Sequence, residues 1–454
     1  MTDISATLAS YIASSTFEAL PPAIRRDGAR AFVNWVGCAA GGSREDIVER
    51  ALGFLAEFGG AATATLVGRP EKLDALNATY INALSSTVLM FNDTHAATVA
   101  HPTGPVAAAL LALAERCPLS GREFLHALIL GIEIQCRVGN ILCVPPAECA
   151  AGLSMGGLVG GIGAAAAAAK VLGLDAEGTA TAIGLAANHA TGLRQAHASM
   201  ANSLTPAHAA RCGLMAALMA ARGVTCSESM IEGPKGFAAS YANRPNLESA
   251  VDGLGRKFEI AALSYKPYPA GFVSHPVIDV CLEIAQQDGF DAFRVERIEL
   301  TVNPLVAKLM DRPEPENLAE AVMSIQHWAA VSLGCRAAGV AQTTEAVARM
   351  PRVLELRRRV ALKFDPATGS DAARVEVLLK DGAKREASVL HCRGSAERPL
   401  SDDDITEKTC GQLLTVFSAE LAESIIAECW RIEEIPRAGA LCESLRTGDG
   451  GNRR

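Results

Sequence analysis

Residues 150–169 read AAGLSMGGLVGGIGAAAAAA, a run of twenty without a charge, and no other feature constrains the fold as much. About twenty apolar residues are enough to span a bilayer. This run is nearly all Ala and Gly, however, whose gain on leaving water is weak beside that of Leu or Phe, and no aromatic belt flanks it. It is expected to be a helix buried among other helices. Gly152, Gly156 and Gly160 recur at a spacing that lets a neighbouring backbone come close. The composition agrees: 49% of the 454 residues are hydrophobic and only 5% aromatic, so Ala, Leu, Val and Ile supply the core. Charged residues are 20%, which excludes disorder. The length suffices for roughly two to three domains.

The first 240 residues or so read as successive helices. Ile4 to Ser14 is amphipathic, and Pro21-Pro22 opens a second helix through Phe32, Val33 and Val36. Thr103 and Pro105 start another that runs to Cys117. Gly121 to Val138 keeps Phe124, Leu125, Leu128 and Ile132 on helical spacing, and Ala207 to Arg222 follows suit. The texture changes near Tyr265, where Pro267, Pro269 and Pro276 break the pattern. Val295 to Val302 and Arg359 to Phe364 alternate as strands do, and Leu318 to Ala338 is helical. Arg374 to Lys380 and Ala383 to Leu390, joined by Asp381-Gly382, predict a hairpin with a tight type I′ turn. After Pro399 helix returns, with Ser401-Asp-Asp-Asp at its start and Leu413 to Trp430 amphipathic; GDGGNRR at the end reads as a frayed tail. The fold class expected is therefore mostly α: a large helical domain from 1–264 and 400–454, with a smaller α+β domain inserted at 265–399. A cleft between the two would suit a small ligand.

Charge narrows the partners. Fifty acids against 42 Lys plus Arg leave a net −8 with no basic cluster, so neither nucleic acid nor membrane is an expected partner. The thirteen cysteines are scattered, odd in number and without a CxxC pair, which argues against disulfides and zinc. MTDISATLASYIASS lacks the basic and apolar regions of a signal peptide, and a cytoplasmic location is the expectation. Gly157, Gly160, Gly161 and Gly163 follow no strand, which rejects a dinucleotide-binding loop.

Two clusters carry chemistry. Phe91 to Pro105 (FNDTHAATVAHPTGP) packs Asp93, Thr94, His95 and His101 before a helix. A carboxylate beside imidazoles orients them for acid–base work, and the helix start favours an anion. The same residues also fit a polar loop in which Asp93 only caps. Ser264 to Pro276 (SYKPYPAGFVSHP) sets Lys266 among aromatics and prolines, with His275 nine residues on. Such a setting lowers a lysine's pKa by desolvation. Equally, Lys266 fits a surface lysine at a hinge.

Together these segments resemble the MmgE/PrpD family of dehydratases, decarboxylases and epimerases, over essentially the whole chain. The markers are Asp93-Thr94-His95 with His101-Pro102, Gly131-Ile-Glu133 with Arg137, the Gly-rich stretch into Ala164–Lys170, and Lys266-Pro-Tyr-Pro269 with His275 and Ile278-Asp279. The resemblance implies a helical domain built from both chain ends, an inserted α+β lid and a homodimer. It implies a small di- or tricarboxylate substrate, no metal or organic cofactor, and removal of a proton α to a carboxylate, followed by elimination, decarboxylation or re-protonation. By motif match, Lys266, His101 and Asp93 are the catalytic candidates, and Thr94, His95, Arg194, Asn202 and His275 the substrate-binding ones, with His95 and His275 alternatively supporting from behind. The chain departs from the family at Met90, where an Asp is common, at Ser154, where a His is, and at Asn202 and Thr205, where a Lys and a His are. His197 and His208 lie near Arg194 in sequence as compensating cations, His208 reading better as a packing residue. A hydratase or dehydratase is the leading expectation, an epimerase of a dicarboxylate such as iminodisuccinate the second, and a non-catalytic carboxylate-binding protein the third.

Overall fold

The Ala/Gly run forms the helix Met155–Val171, and its small residues explain where it sits. A Cβ on Gly213 would lie 2.3 Å from the Gly161 carbonyl oxygen, and one on Gly131 would lie 2.8 Å from that of Gly163. These are the points where Leu204–Ala220 and Gly121–Cys143 cross it, backbone against backbone. The backbone-to-backbone approach therefore falls at Gly161 and Gly163; of the 152/156/160 repeat, Gly152 precedes the helix, a Cβ on Gly156 would only touch Pro206 at 3.9 Å, and one on Gly160 would meet the side chains of Pro105 and Ala209 at 3.1–3.3 Å. The computed structural model describes residues 3–149 and 152–448, so the tail from 449 and residues 150–151 lie outside it. Among the described residues, Gly121–Cys143 alone is long and apolar enough to cross a membrane, and it is wholly buried.

Helix starts follow the capping chemistry. Asp74 accepts from Leu76 and Asn77 N–H, Ser120 and Ser401 form reciprocal boxes with Glu123 and Asp404, and Ser418 caps Ala419–Trp430. Lys170 closes the other end of Ile4–Ser14, donating to the carbonyls of Ile12, Ala13 and Ser15 at 2.7–3.1 Å. Among the described residues no disulfide forms.

Buried apolar side chains fall into two clusters. One draws on Ile4 through Tyr265 and again on Leu400 through Leu445; the other runs from Tyr268 to Leu379. The second is built on a four-stranded sheet in the order Val360–Phe364, Val295–Val302, Ala373–Leu379, Lys384–Val389. Its first pair is parallel and the rest antiparallel. Val295, Ile298, Leu300, Val375 and Val377 point inward, and the helices His275–Gln286 and Ile325–Cys335 pack with the sheet. The hairpin forms, but not with the tight I′ turn. Only Gly382 has a positive φ (83°), and Leu379 N–H reaches the Ala383 carbonyl across three loop residues, so the loop is one residue longer. The single helix expected over 318–338 is two, Leu318–Ala321 and Ile325–Cys335, the latter restarted by the Ser324 cap.

Candidate active site

The site is organised by a strand pair too short to leave a periodic signal. Asp93–His95 runs antiparallel to Leu263–Tyr265, Asp93 opposite Tyr265 and His95 opposite Leu263. Continuing that register one step sets Lys266 opposite Asn92, and Lys266 Nζ donates to Asn92 Oδ1 at 3.4 Å. Lys266 is 2% exposed, so it is no surface hinge lysine. Burial, and then the charge of nearby Lys408, push its ammonium down to about 8.

Two histidines close on this lysine, and backbone carbonyls decide where each ring carries its proton. His101 Nδ1 lies 2.7 Å from the Asp93 carbonyl and 3.3 Å from Thr94 Oγ1. A carbonyl only accepts, so Nδ1 bears the hydrogen and Nε2 keeps its lone pair. His275, fully buried, points Nε2 at the Ala270 carbonyl (3.3 Å), which leaves its Nδ1 without a partner. Burial, followed by the Lys266 charge, pushes both rings down to about 3, so both are neutral. The lysines therefore hold the positive charge and the imidazoles offer lone pairs.

Asp93 is 1% exposed, and its Oδ2 accepts from Thr103 N–H (3.1 Å) and Thr103 Oγ1 (2.8 Å) at the start of Thr103–Ala114. The capping reading of this residue is therefore realised, while its carboxylate also lies within the field of Lys266 and Lys408. Burial raises its pKa. Through these bonds the Asp93 carboxylate ties the strand Asp93–His95 to the start of the helix Thr103–Ala114.

For His95, expected either to bind substrate or to support from behind, the contacts match the supporting arrangement. Its Nδ1 meets Thr98 Oγ1 at 2.9 Å and its Nε2 meets Glu259 at 3.0 Å, which occupies both nitrogens. It supports the strand from behind. Glu259 is fixed in turn by a fully buried pair: Arg137 Nε donates to Glu133 at 2.6 Å, and Glu133 accepts the Glu259 N–H at 2.7 Å. Arg137 also ties down the carbonyls of Ala250, Asp252 and Lys257 at 2.7–3.1 Å. The Gly-Ile-Glu and Arg137 markers thus belong to a strut. Asp279 plays a similar part, accepting from the Tyr268 hydroxyl (2.5 Å) and the Arg393 N–H (2.7 Å).

Arg194 and Asn202 sit in short turns of 3₁₀ helix, Arg194–Ala196 and Met200–Ser203, and among the described residues neither side chain bonds to Lys266, His101 or His275. Between them His197 lies close enough to depress His101, and is itself depressed by burial and then by Arg194 and Arg312. Ala198 (φ 63°) and Met90 (φ 52°) take left-handed backbone beside the site and pack on the second apolar cluster. His208 contacts Cys212 Sγ at 3.3 Å, a packing role; Trp328 is core, its Nε1 donating to the Val322 carbonyl, and His327 is buried beside it.

Sequence reasoning missed Asn92, Glu259 and Lys408. Asn92 stands inside the Phe91-to-His95 cluster, and its neighbours were the available signal; Glu259 and Lys408 reach the site only through the tertiary fold. Lys408, on Asp402–Leu413, donates to Asn34 Oδ1 and to the Phe91 carbonyl, both at 2.6 Å. For a metal, among the described residues one group brings three ligand atoms together, Asp371, His391 and Glu397, on the exposed 371–397 loops rather than among the cleft residues. What the cleft can do chemically is accept a proton on a neutral imidazole beside an ammonium, which is the equipment for stabilising a carbanion next to a carboxylate.

Models described as the MmgE/PrpD N-terminal domain and the MmgE/PrpD C-terminal domain match residues 6–250 and 268–432. A cis-aconitate decarboxylase of Mus musculus is 26% identical over 448 residues, 94% of this chain and 90% of the relative. The Homo sapiens protein of that name is 27% identical over 433 residues, 92% and 89% of the two chains. One from Aspergillus terreus is 24% identical over 401 residues, 82% and 81%.

Proposed function

Since the chain belongs to the MmgE/PrpD family, we propose that it is a lyase that works without a cofactor on a small di- or tricarboxylate, removing a proton α to a carboxylate and expelling water or carbon dioxide. Relatives named cis-aconitate decarboxylases support a dehydratase/decarboxylase-type activity in broad terms. The observation that carries the finer reading is the pair of lone pairs, His101 Nε2 and His275 Nδ1, left open around Lys266 by carbonyls that pin the opposite ring hydrogens.

In a dehydration the imidazole takes the α-proton and the electron pair moves onto the adjacent carboxylate; it then returns to form the C=C bond as the β-hydroxyl, protonated by the Lys266 ammonium, leaves as water. In a decarboxylation the C–C electron pair stays on carbon as carbon dioxide departs, and the acid returns a proton to that carbon. An ammonium near 8 holds a proton at neutral pH and yields it readily, which suits Lys266 as the acid. A small α+β body closing over the cleft, and a homodimer, form part of the same proposal.

The test is a panel of citrate-like, aconitate-like and amino-dicarboxylate compounds in deuterium oxide, followed by proton NMR. Turnover to an alkene or loss of carbon dioxide is expected, and H101N and K266M should each lower it at least about 10²-fold, as for lost general acid–base groups. Near-wild-type turnover in both variants refutes the assignment. Deuterium entry at the α-carbon without product would establish the epimerase instead, the reading that Met90 favours by standing where an Asp is common in the family.

A further inference from the structure

Lys408 comes from the far end of the chain yet contacts the loop that carries the site. Its helix, Asp402–Leu413, packs on Pro22–Gly41. There its ammonium lies 4.2 Å from the centre of the Phe91 ring, bonded to the Phe91 carbonyl and to Asn34, whose side chain is fully buried. Cys38 Sγ donates to that same carbonyl at 3.3 Å. The next residue, Asn92, is the one described hydrogen-bond acceptor of Lys266. Among the described residues neither ammonium forms an ion pair; Lys408 holds the Phe91 carbonyl, Lys266 holds the Asn92 side chain, and Asp93 lies in the field of both.

We propose that Lys408 is a positioning residue for Lys266: it clamps the Phe91 carbonyl so that Asn92 holds the Lys266 ammonium in place, and its own charge bears on that ammonium. The use made of Lys266 rests on the lyase reading above; the clamp itself does not. The groups around Lys266 are Asn92 just before the strand Asp93–His95, Asp93 within it, His101 from the loop beyond it, Cys38 from Pro22–Gly41, His275 from His275–Gln286, and Lys408. The thiol is kept neutral by burial and both imidazoles are neutral, so Lys408 and Asp93 are the charges that compete over Lys266.

The experiment follows the 13Cε resonances of labelled lysines with pH in the full chain, Lys266 being assigned by its disappearance in K266R. In K408M, which loses both clamp and charge, the Lys266 midpoint should rise by roughly one unit, as for removal of a buried like charge. K408Q, which keeps a donor for the Phe91 carbonyl, should show most of that rise and guards against a misfolded K408M. K408R, with charge and donors retained, should leave the midpoint in place. A midpoint unmoved in both K408M and K408Q, or moved equally by K408R, overturns the proposal. If the midpoint moves as expected but no di- or tricarboxylate is turned over, the positioning stands and the lyase reading fails; turnover with an unmoved midpoint is the reverse.

Discussion

Removing Arg137 should damage the protein more than any surface change, and the amount follows from its contacts. The guanidinium is fully buried, pairs with the equally buried Glu133 and holds the carbonyls of Ala250, Asp252 and Lys257. Arg137→Met strands a carboxylate and three carbonyls at once. Breaking a buried pair from one side costs about 3–5 kcal/mol. Glu133→Gln is far milder, about 1–2 kcal/mol, because an amide oxygen still accepts from Arg137 or from the Glu259 N–H. Adding E133Q to R137M should recover part of the loss, since no carboxylate then stands buried without a partner. Urea unfolding by tryptophan fluorescence reads this directly. Trp35 and Trp430 belong to the first apolar cluster and Trp328 to the second, so a W328F background isolates the strut's own core. A loss below about 1 kcal/mol in R137M, or strict additivity in the double variant, would show that the pair is not what fixes Glu259.

Anion binding should depend on pH with a sign set by Lys266. Its folded pKa lies below the ordinary 10.5, so the buried ammonium costs the unliganded fold stability below about 8, and the cost fades as pH rises toward 10.5. A carboxylate favours the charged form, so citrate should raise Tm most below pH 8 and progressively less above it; a flat profile, or one kept by K266M, contradicts this. For the helix crossing, G213V should lower Tm by several degrees or abolish folding, because its Cβ would sit 2.3 Å from the Gly161 oxygen. G411A, with nothing within 4 Å of the added carbon, should stabilise by about 0.5–1 kcal/mol. Similar Tm values for the two would refute the close approach.

Much of the helical part was legible because its signals are local. Ile4–Ser14 and Gly121–Cys143 follow apolar periodicity between capping residues, and the alternation of Val295–Val302 marks a half-buried strand. What escaped is non-local. A three-residue strand pairing across some 170 positions has no period to detect, yet it sets Lys266 beside Asn92. The glycines of the run were visible, but which of them met another helix's backbone depended on how the helices cross. The site residue types were legible for the same reason as the helices, since Asp93, His95 and His101 cluster in sequence. Their division of labour was not: Glu259, which occupies His95, is 164 residues away, and the carbonyls that set the tautomers of His101 and His275 leave no mark in residue identity.

The neutral imidazoles and the unpaired lysines are one arrangement. A cleft that held three or four permanent cations would repel itself apart in a low-dielectric setting, and burial resolves this by discharging the histidines first, since their ordinary pKa is the lowest. Two ammoniums against one carboxylate remain, a surplus positive charge that an incoming carboxylate can neutralise. Once that anion is bound, its field acts on the imidazoles in the opposite sense to Lys266 and raises their proton affinity. On the proposed lyase reading the base would therefore strengthen when a carboxylate substrate is bound, and an acidic protein of net −8 would attract a small anion through a surplus confined to its interior.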